Sequence, residues 1–458
     1  MDLQCDVIVI GGGMAGGCAA LSAAEAGADV VLLEKQSELG GSSAMSGGLL
    51  VFADTDLQRS KGIVDSDAIL FKDLREVGKF DNEETIVQSY VDNQLATYEW
   101  LCHHGVKFDP DLQVAGGMSV PRGHSTDPAD TVRLLGKRNL ANGKVRILTV
   151  AAGQRLLRNA ESSRVEGLQF SHNNAAATIR CSNGVILACG GFGHNKELIH
   201  KFVPQYDNAV FVGGAGNVGD GLKMAWELGA DFRDMAHIKG TYGKHPVDTS
   251  NPHSCLCVYK GGIAVNEHGK RYVNESLSYK LLGDACLLQP NACTYQIMDQ
   301  NIYEQSDHKD KIADFERRLE EGLLVRAESL DELARLFDLP ADTLAATVAD
   351  YNRYVDQGRD PEFGREHLVH TFGQLRKIQR APFYGYASTA CVYGTYAGVR
   401  VDPDMRVLNV FGEPIRALYA AGEMVGGLHG AAYMSGSSLG KAAIFGRVAA
   451  RTACSLRD

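Results

Sequence analysis

Long apolar runs are missing from this chain of 458 residues. Nothing approaches the ~18 consecutive apolar positions of a membrane span. A cationic excess is missing too, with 46 Lys and Arg against 56 Asp and Glu and a formal charge of -10. Nucleic-acid backbones are held by clustered Lys and Arg, so no nucleic-acid partner is expected. The opening Met1-Asp2-Leu3-Gln4-Cys5-Asp6 has no basic stretch leading into an apolar one. No signal peptide is therefore read there, and a cytoplasmic location is expected. The 11 cysteines are scattered, and an odd count in a chain this long makes no disulfide framework. Neither Cys-x-x-Cys-His nor a paired Cys-x-x-Cys occurs, which argues against c-type haem, zinc and iron–sulfur centres. Cys255-Leu256-Cys257 reads as packing. No internal repeat stands out. What remains is 45% apolar and 22% charged, enough for a sizeable core, with length suggesting roughly three units. Any redox chemistry falls to an organic cofactor.

The N-terminus points to that cofactor. Val7-Ile8-Val9-Ile10 is a short β-branched run suited to a buried parallel strand. It runs into Gly11-Gly12-Gly13-Met14-Ala15-Gly16, a G-x-G-x-x-G pattern. A helical stretch from Ala19 to Ala26 follows, with Gly27 as its stop, and then a second strand, Val30–Leu33, ending on Glu34. Gly11 suits a tight turn, Gly13 lets backbone approach a pyrophosphate, and Gly16 lets helix and strand pack closely. The helix N-terminus offers free N–H groups to phosphates, and Glu34 stands at the right distance for an adenosine ribose. The pattern alone does not separate FAD from NAD.

Downstream segments do. Lys35 is followed by the loop Gly40-Gly41-Ser42-Ser43-Ala44-Met45-Ser46-Gly47-Gly48, through which backbone can approach a flat polar ring system. Near the other end, a strand Ala417–Ala421 leads to Gly422-Glu423-Met424, and Ser437-Ser438-Leu439 opens a helix to about Thr452. Further stretches are Leu187–Gly193 with Gly190 and Gly191, Gly219-Asp220-Gly221, Gly269–Glu275, Asp360–Arg365 and Phe445-Gly446-Arg447. Together these resemble the fumarate reductase/succinate dehydrogenase flavoprotein family, which includes the FAD-dependent 3-ketosteroid dehydrogenases. The resemblance runs from residue 5 to about 452.

That resemblance implies an α/β plus α+β architecture: a Rossmann-like, glutathione-reductase-like FAD-binding domain at 1–240 and 371–458, with an inserted α+β cap at 241–370 that closes over the flavin and excludes water. In the cap, residues 331–337 and a stretch opening at Pro340-Ala341-Asp342 read as helices, the second with Leu344, Val348, Tyr351 and Val355 on one packing face. The FAD-binding set implied is Gly11, Gly13, Ala15, Gly16, Glu34, Lys35, Gly41, Ser42, Ser43, Gly47, Gly48, Ala151, Gly190, Gly191, Asp220, Glu423, Ser437, Ser438 and Leu439. Glu423 would hold the ribityl chain. The Ser437-Ser438-Leu439 amides would face the flavin N1/O2 edge, where a helix N-terminus stabilises negative charge. Relatives with covalent FAD carry a His at the position of Gly41, so non-covalent FAD is expected.

Two positions bear on substrate. In the carboxylate-reducing relatives an Arg stands four residues after the cap Glu, and another four residues after the late His. Here Glu275 leads to Tyr279 and His429 leads to Tyr433. A guanidinium is the natural partner of a carboxylate, whereas a phenol donates one hydrogen bond to a neutral carbonyl. The ketosteroid dehydrogenase branch has both tyrosines, and Tyr433-Met434-Ser435-Gly436-Ser437-Ser438-Leu439-Gly440 is similar to the 3-ketosteroid Δ4-(5α)-dehydrogenase pattern. The implied mechanism has Tyr433 and the Gly436 N–H on the keto oxygen, Tyr279 with Ser435 taking the α-proton, and FAD taking the β-hydride. A steroid-like ketone substrate in steroid breakdown and an external electron acceptor such as a quinone are expected. Ala397 departs from the family's usual glycine. His124 reads as a surface-loop residue and His429 as a support for its turn. Open alternatives are a Δ1-dehydrogenase, a fumarate-reductase-like ene-reductase of an enone or unsaturated acid, and a non-catalytic flavin redox sensor.

Overall fold

The computed structural model describes residues 2–247, 254–310, 312–369 and 372–455; positions 248–253, 311 and 370 of the expected cap, and 371 at the start of the expected C-terminal part, lie outside the described residues. The chain forms two compact units. One runs to Pro204 and takes in Gly213–Lys239 and everything from Gly394; the other comprises Gln205–Val212 and Gly240–Tyr393.

The first unit is built on an eight-stranded sheet. Strand Asp2–Ile10 lies at its centre, parallel to Val30–Leu33 on one side and Ala175–Leu187 on the other. Val145–Leu148 and Pro414–Ala420 extend the parallel set outward. Val7, Ile8 and Val9 are fully buried, as a β-branched run covered on both faces should be. The first helix starts at Met14, five residues before the expected Ala19, and ends at Glu25 ahead of the left-handed Gly27. Gly16 and Gly17 fall inside it, because tertiary packing outweighs their low helix propensity. Helix Ser437–Ser455 from the other end of the chain packs against it.

The second unit centres on strand Phe383–Thr395, which pairs with Thr294–Asp299 and with Leu324–Ala327. Those ladders keep residues up to Tyr393 in this unit, beyond the boundary at 370 expected from the sequence. Val210–Phe211 pairs with the same strand at Cys391 and Val392. Helices Leu330–Leu336 and Ala341–Gln357 are present. Leu344, Val348 and Tyr351 enter the core and Val355 packs against it, as the spacing predicts.

Two family-like stretches of this unit meet in a buried charge cluster. Arg271 donates to Glu275 from Nε at 2.9 Å and from Nη2 at 2.6 Å, and reaches Asp360 at 2.9 Å. Arg365 lies 3.5 Å from Glu275 and donates to the Gly262 and Val258 carbonyls. The Tyr351 ring lies under both guanidinium groups. Breaking a buried pair by removing one partner strands the other charge. Glu275→Ala should therefore lower stability by about 3–5 kcal/mol, read as a fall in the urea midpoint of the holoprotein. An unchanged midpoint would show that the guanidinium groups do not need Glu275.

Candidate functional site

The glycine turn of the first unit is built around close backbone approach. A Cβ at Gly16 would stand 1.8 Å from the Gly11 carbonyl oxygen, so only glycine permits the helix to start there. The Gly12 N–H donates to Glu34 Oε2 at 2.8 Å and the Gln36 N–H to Glu34 Oε1 at 2.8 Å, which fixes the carboxylate beside the turn. The Ala151 N–H donates to the Glu34 carbonyl at 2.8 Å. Gly13 caps the helix, and the Met14 N–H donates to Ser43 Oγ at 3.1 Å. The N–H groups of Gly13 and Ala15 have no backbone acceptor among the described residues, the arrangement an anion needs at a helix N-terminus.

Residues Gly41–Met45 form one short helical turn, and Gly48 leads into strand Leu49–Val51. Ser42 Oγ accepts from the Gly214 N–H at 2.8 Å and from Asn217 Nδ2 at 3.0 Å. Asn217 also donates to Glu423 Oε2 at 3.0 Å, and Glu423 Oε1 accepts the Thr395 N–H at 2.7 Å. Burial raises the Glu423 carboxyl above the usual range, opposed by the Thr395 N–H and by Lys441 and Lys239. A Cβ on Gly191 would stand 2.0 Å from Thr395 Oγ1 and 2.5 Å from Glu423 Oε1, and one on Gly190 would meet Asn217. Lys35 and Asp220, both expected at the cofactor, pair with each other at 2.7 Å.

The late turn brings Tyr433, Ser435 and Gly436 to the start of helix Ser437–Ser455. Gly436 is left-handed, with φ +90°, and its N–H donates to Tyr433 Oη at 3.0 Å. The sequence reading has both groups on a substrate oxygen; in the structure the Gly436 N–H lies on the phenol oxygen itself. The Ser437 N–H is used by the Met434 carbonyl, whereas those of Ser438 and Leu439 have no backbone acceptor among the described residues. The Tyr433 ring stacks with Tyr396 at 6.0 Å and meets the His429 ring edge-on at 5.5 Å. Burial pulls His429 well below its ordinary value, helped by Lys441 and Lys239, so its ring is neutral; Nδ1 lies 3.4 Å from Ser437 Oγ. The Ser435 N–H donates to the Gly116 carbonyl at 2.9 Å. Tyr279 opens helix Tyr279–Leu287 of the second unit and packs against the Tyr242–Leu256–Leu282 cluster.

A family profile described as FAD binding domain matches residues 6–439. The chain is 30% identical over 458 residues to a fumarate reductase (cytochrome) of Shewanella frigidimarina, covering 98% of this chain and 76% of that one. It is 29% identical to an NADH:fumarate oxidoreductase of Klebsiella pneumoniae over 91% of its own length, but spans only 44% of that protein. The solved 3-ketosteroid-Δ4-(5α)-dehydrogenase of Rhodococcus jostii RHA1 matches at 26% identity with a TM-score of 0.81, covering 99% of this chain and 97% of that one. The chain belongs to the FAD-binding flavoproteins of fumarate reductase/succinate dehydrogenase type. Its cofactor is FAD. The free amides at both helix starts and the Glu34 and Glu423 carboxylates fit such a dinucleotide. The ketosteroid dehydrogenases, expected from the tyrosines as the nearest branch, appear among the solved structures, while these two sequence relatives are named for fumarate. No helix among the described residues is long and apolar enough to cross a membrane.

Sequence reasoning about this flavoprotein missed Asn217 and Thr395, which orient Ser42 and Glu423 from distant segments; the glycines at 214, 216 and 219 were the available signal. It also misplaced His124. That residue is fully buried among Phe52, Tyr98 and Phe108, with Nε2 2.9 Å from Thr55 Oγ1 and Nδ1 2.9 Å from the Arg122 carbonyl. Its strand pairs with Leu49–Val51, which draws it inward. Burial holds the ring down at about 4, from an ordinary 6.5. The native ring is thus neutral where the unfolded one takes up a proton. Stability should fall as pH drops from about 6.5 to about 4, by up to about 3 kcal/mol. His124→Gln should flatten that part of the stability–pH curve measured by denaturation; an identical slope would refute the assignment.

Proposed function

We propose that this flavoprotein catalyses C=C bond formation next to a ketone, as a 3-ketosteroid dehydrogenase of Δ4-(5α) type acting on a saturated 5α-3-ketosteroid. The observation that carries the reading is the Tyr433 phenol, backed by the Gly436 N–H at 3.0 Å, where a dicarboxylate reductase needs a guanidinium. A phenol polarised by an N–H on its oxygen is a strengthened donor to a carbonyl. It meets the negative charge that develops on that oxygen as the α-proton leaves. Tyr279 receives that proton, with Ser435 as relay, and the ketone's reaction is completed by loss of a β-hydride. Bound FAD, held by Glu34, Glu423 and the two helix N-termini without a covalent link, supplies the hydride acceptor. Electrons then leave to an external acceptor of quinone type. The similarity to the solved Δ4-(5α)-dehydrogenase supports this reading.

A second reading is reduction of an unsaturated acid, favoured by the names of the fumarate-reducing relatives. One experiment separates the two. The yellow holoenzyme is mixed anaerobically with a 5α-3-ketosteroid, a Δ4-3-ketosteroid or succinate, and flavin bleaching is followed. Bleaching by the 5α-3-ketosteroid with the 4-ene as product is expected, and Tyr433→Phe should slow it about 10²–10³-fold. Bleaching only by succinate would replace the ketone reading with the acid one. Bleaching only by the Δ4-3-ketosteroid would move the new bond to Δ1.

A further inference from the structure

Lys239 ends the Gly213–Lys239 segment of the first unit, and its ammonium lies over the Tyr433 ring, 4.6 Å from the centroid. Its side chain is half-buried and has no ion pair or hydrogen bond among the described residues. Lysines this close to the protein interior are normally neutralised by a carboxylate. The charged and titratable groups facing this spot come from several elements. They are Lys441 on the closing helix, neutral His429 and Glu423 on the preceding turn, Tyr396 after the long strand, and Tyr90 on helix Glu84–His103. Glu423, the acid among them, is engaged by Thr395 and Asn217. Lys441 is buried, donates to the Val425 carbonyl at 2.8 Å, and is pulled down to about 8 by burial. Lys239 is thus the partly exposed member of the group, and what it covers is the π-face of the phenol.

We propose that Lys239 is a positioning residue for the reaction: its ammonium, on the ring face of Tyr433, stabilises negative charge on the phenol oxygen and so makes Tyr433 a stronger proton donor to the substrate oxygen. A cation over an aromatic face is attracted even by a neutral ring. Its attraction grows when the ring carries a phenolate, so it favours the deprotonated form. The Gly436 N–H acts in the same direction from the oxygen side. The two contacts come from segments nearly two hundred residues apart, and neither is a substrate-binding contact. The inference rests on Tyr433 being the oxygen-facing group proposed above.

The test uses holoenzyme labelled at the tyrosine Cζ with carbon-13. The Tyr433 resonance is identified by its loss in Tyr433→Phe, and its phenol-to-phenolate transition is followed by NMR as pH rises. In Lys239→Gln the transition should move to higher pH by roughly one unit, and Lys239→Arg should restore most of the shift. With a turned-over ketone, Lys239→Gln should lower kcat about tenfold while KM changes less than about twofold, and the kinetic pH profile should move with the NMR transition. An unmoved Tyr433 transition in Lys239→Gln would overturn the proposal. So would a variant whose only defect is a raised KM for a carboxylate ligand, which would make Lys239 a carboxylate clamp. Failure of any ketone to bleach the wild-type flavin would sink the proposed function instead, and the NMR comparison would still decide the role of Lys239.

Discussion

Backbone meeting backbone around Ala15 is the constraint on which the cofactor site depends. Gly16 lies against the Gly11 carbonyl, and a Cβ on Gly446 would stand 2.4 Å from the Ala15 carbonyl oxygen. The first helix and the closing helix, from opposite ends of the chain, therefore meet backbone to backbone at Gly446 and Ala15. That closeness places two helix N-termini with unpaired amides in one unit. Each N-terminus carries roughly half a positive charge, which suits a cofactor with a pyrophosphate at one end and a ring that gains negative charge at the other. Neither helix could be moved outward by a methylene without separating those two fields.

The polar groups of this unit are locked by their neighbours. Asn217 joins Ser42 to Glu423, and Thr395 holds the other Glu423 oxygen. Three segments, at Ser42, Asn217 and Thr395, thus converge on one carboxylate whose burial would otherwise favour its neutral form. Buried polar networks of this kind are rigid when every member is satisfied, and rigidity is what an oriented hydride acceptor demands.

Much of the first unit was legible because its signals are local. A β-branched run, three spaced glycines and a terminal acid each follow from the geometry of one strand–turn–helix unit. What failed to show depends on long-range contact. His124 sits in a polar-looking Arg-Gly-His stretch, and only pairing with Leu49–Val51 draws it inward. Glu275 looked like the marker of a reactive loop, yet its carboxylate is consumed by Arg271 and Arg365 in the second unit's interior. Lys239 has no motif around it at all. The first helix began earlier than its composition allowed, since glycines that weaken a free helix are the residues that let this one pack.

The exchange of guanidinium for phenol changes when charge is felt. An arginine clamp holds a carboxylate that is already ionised before reaction, so it binds substrate and transition state alike, and uniform binding does little for the rate of the bonded complex. A phenol with an N–H on its oxygen and an ammonium on its face holds little charge until a proton starts to move. In the proposed reaction its stabilisation comes as the substrate oxygen becomes anionic. The neutral His429 ring beside it adds no competing charge, and the amides of Ser438 and Leu439 have no backbone acceptor among the described residues. In the proposed ketone reaction the cationic field stands behind the phenol instead of in the substrate's place, so a chain without either family arginine at these two positions still offers charge to a developing enolate oxygen.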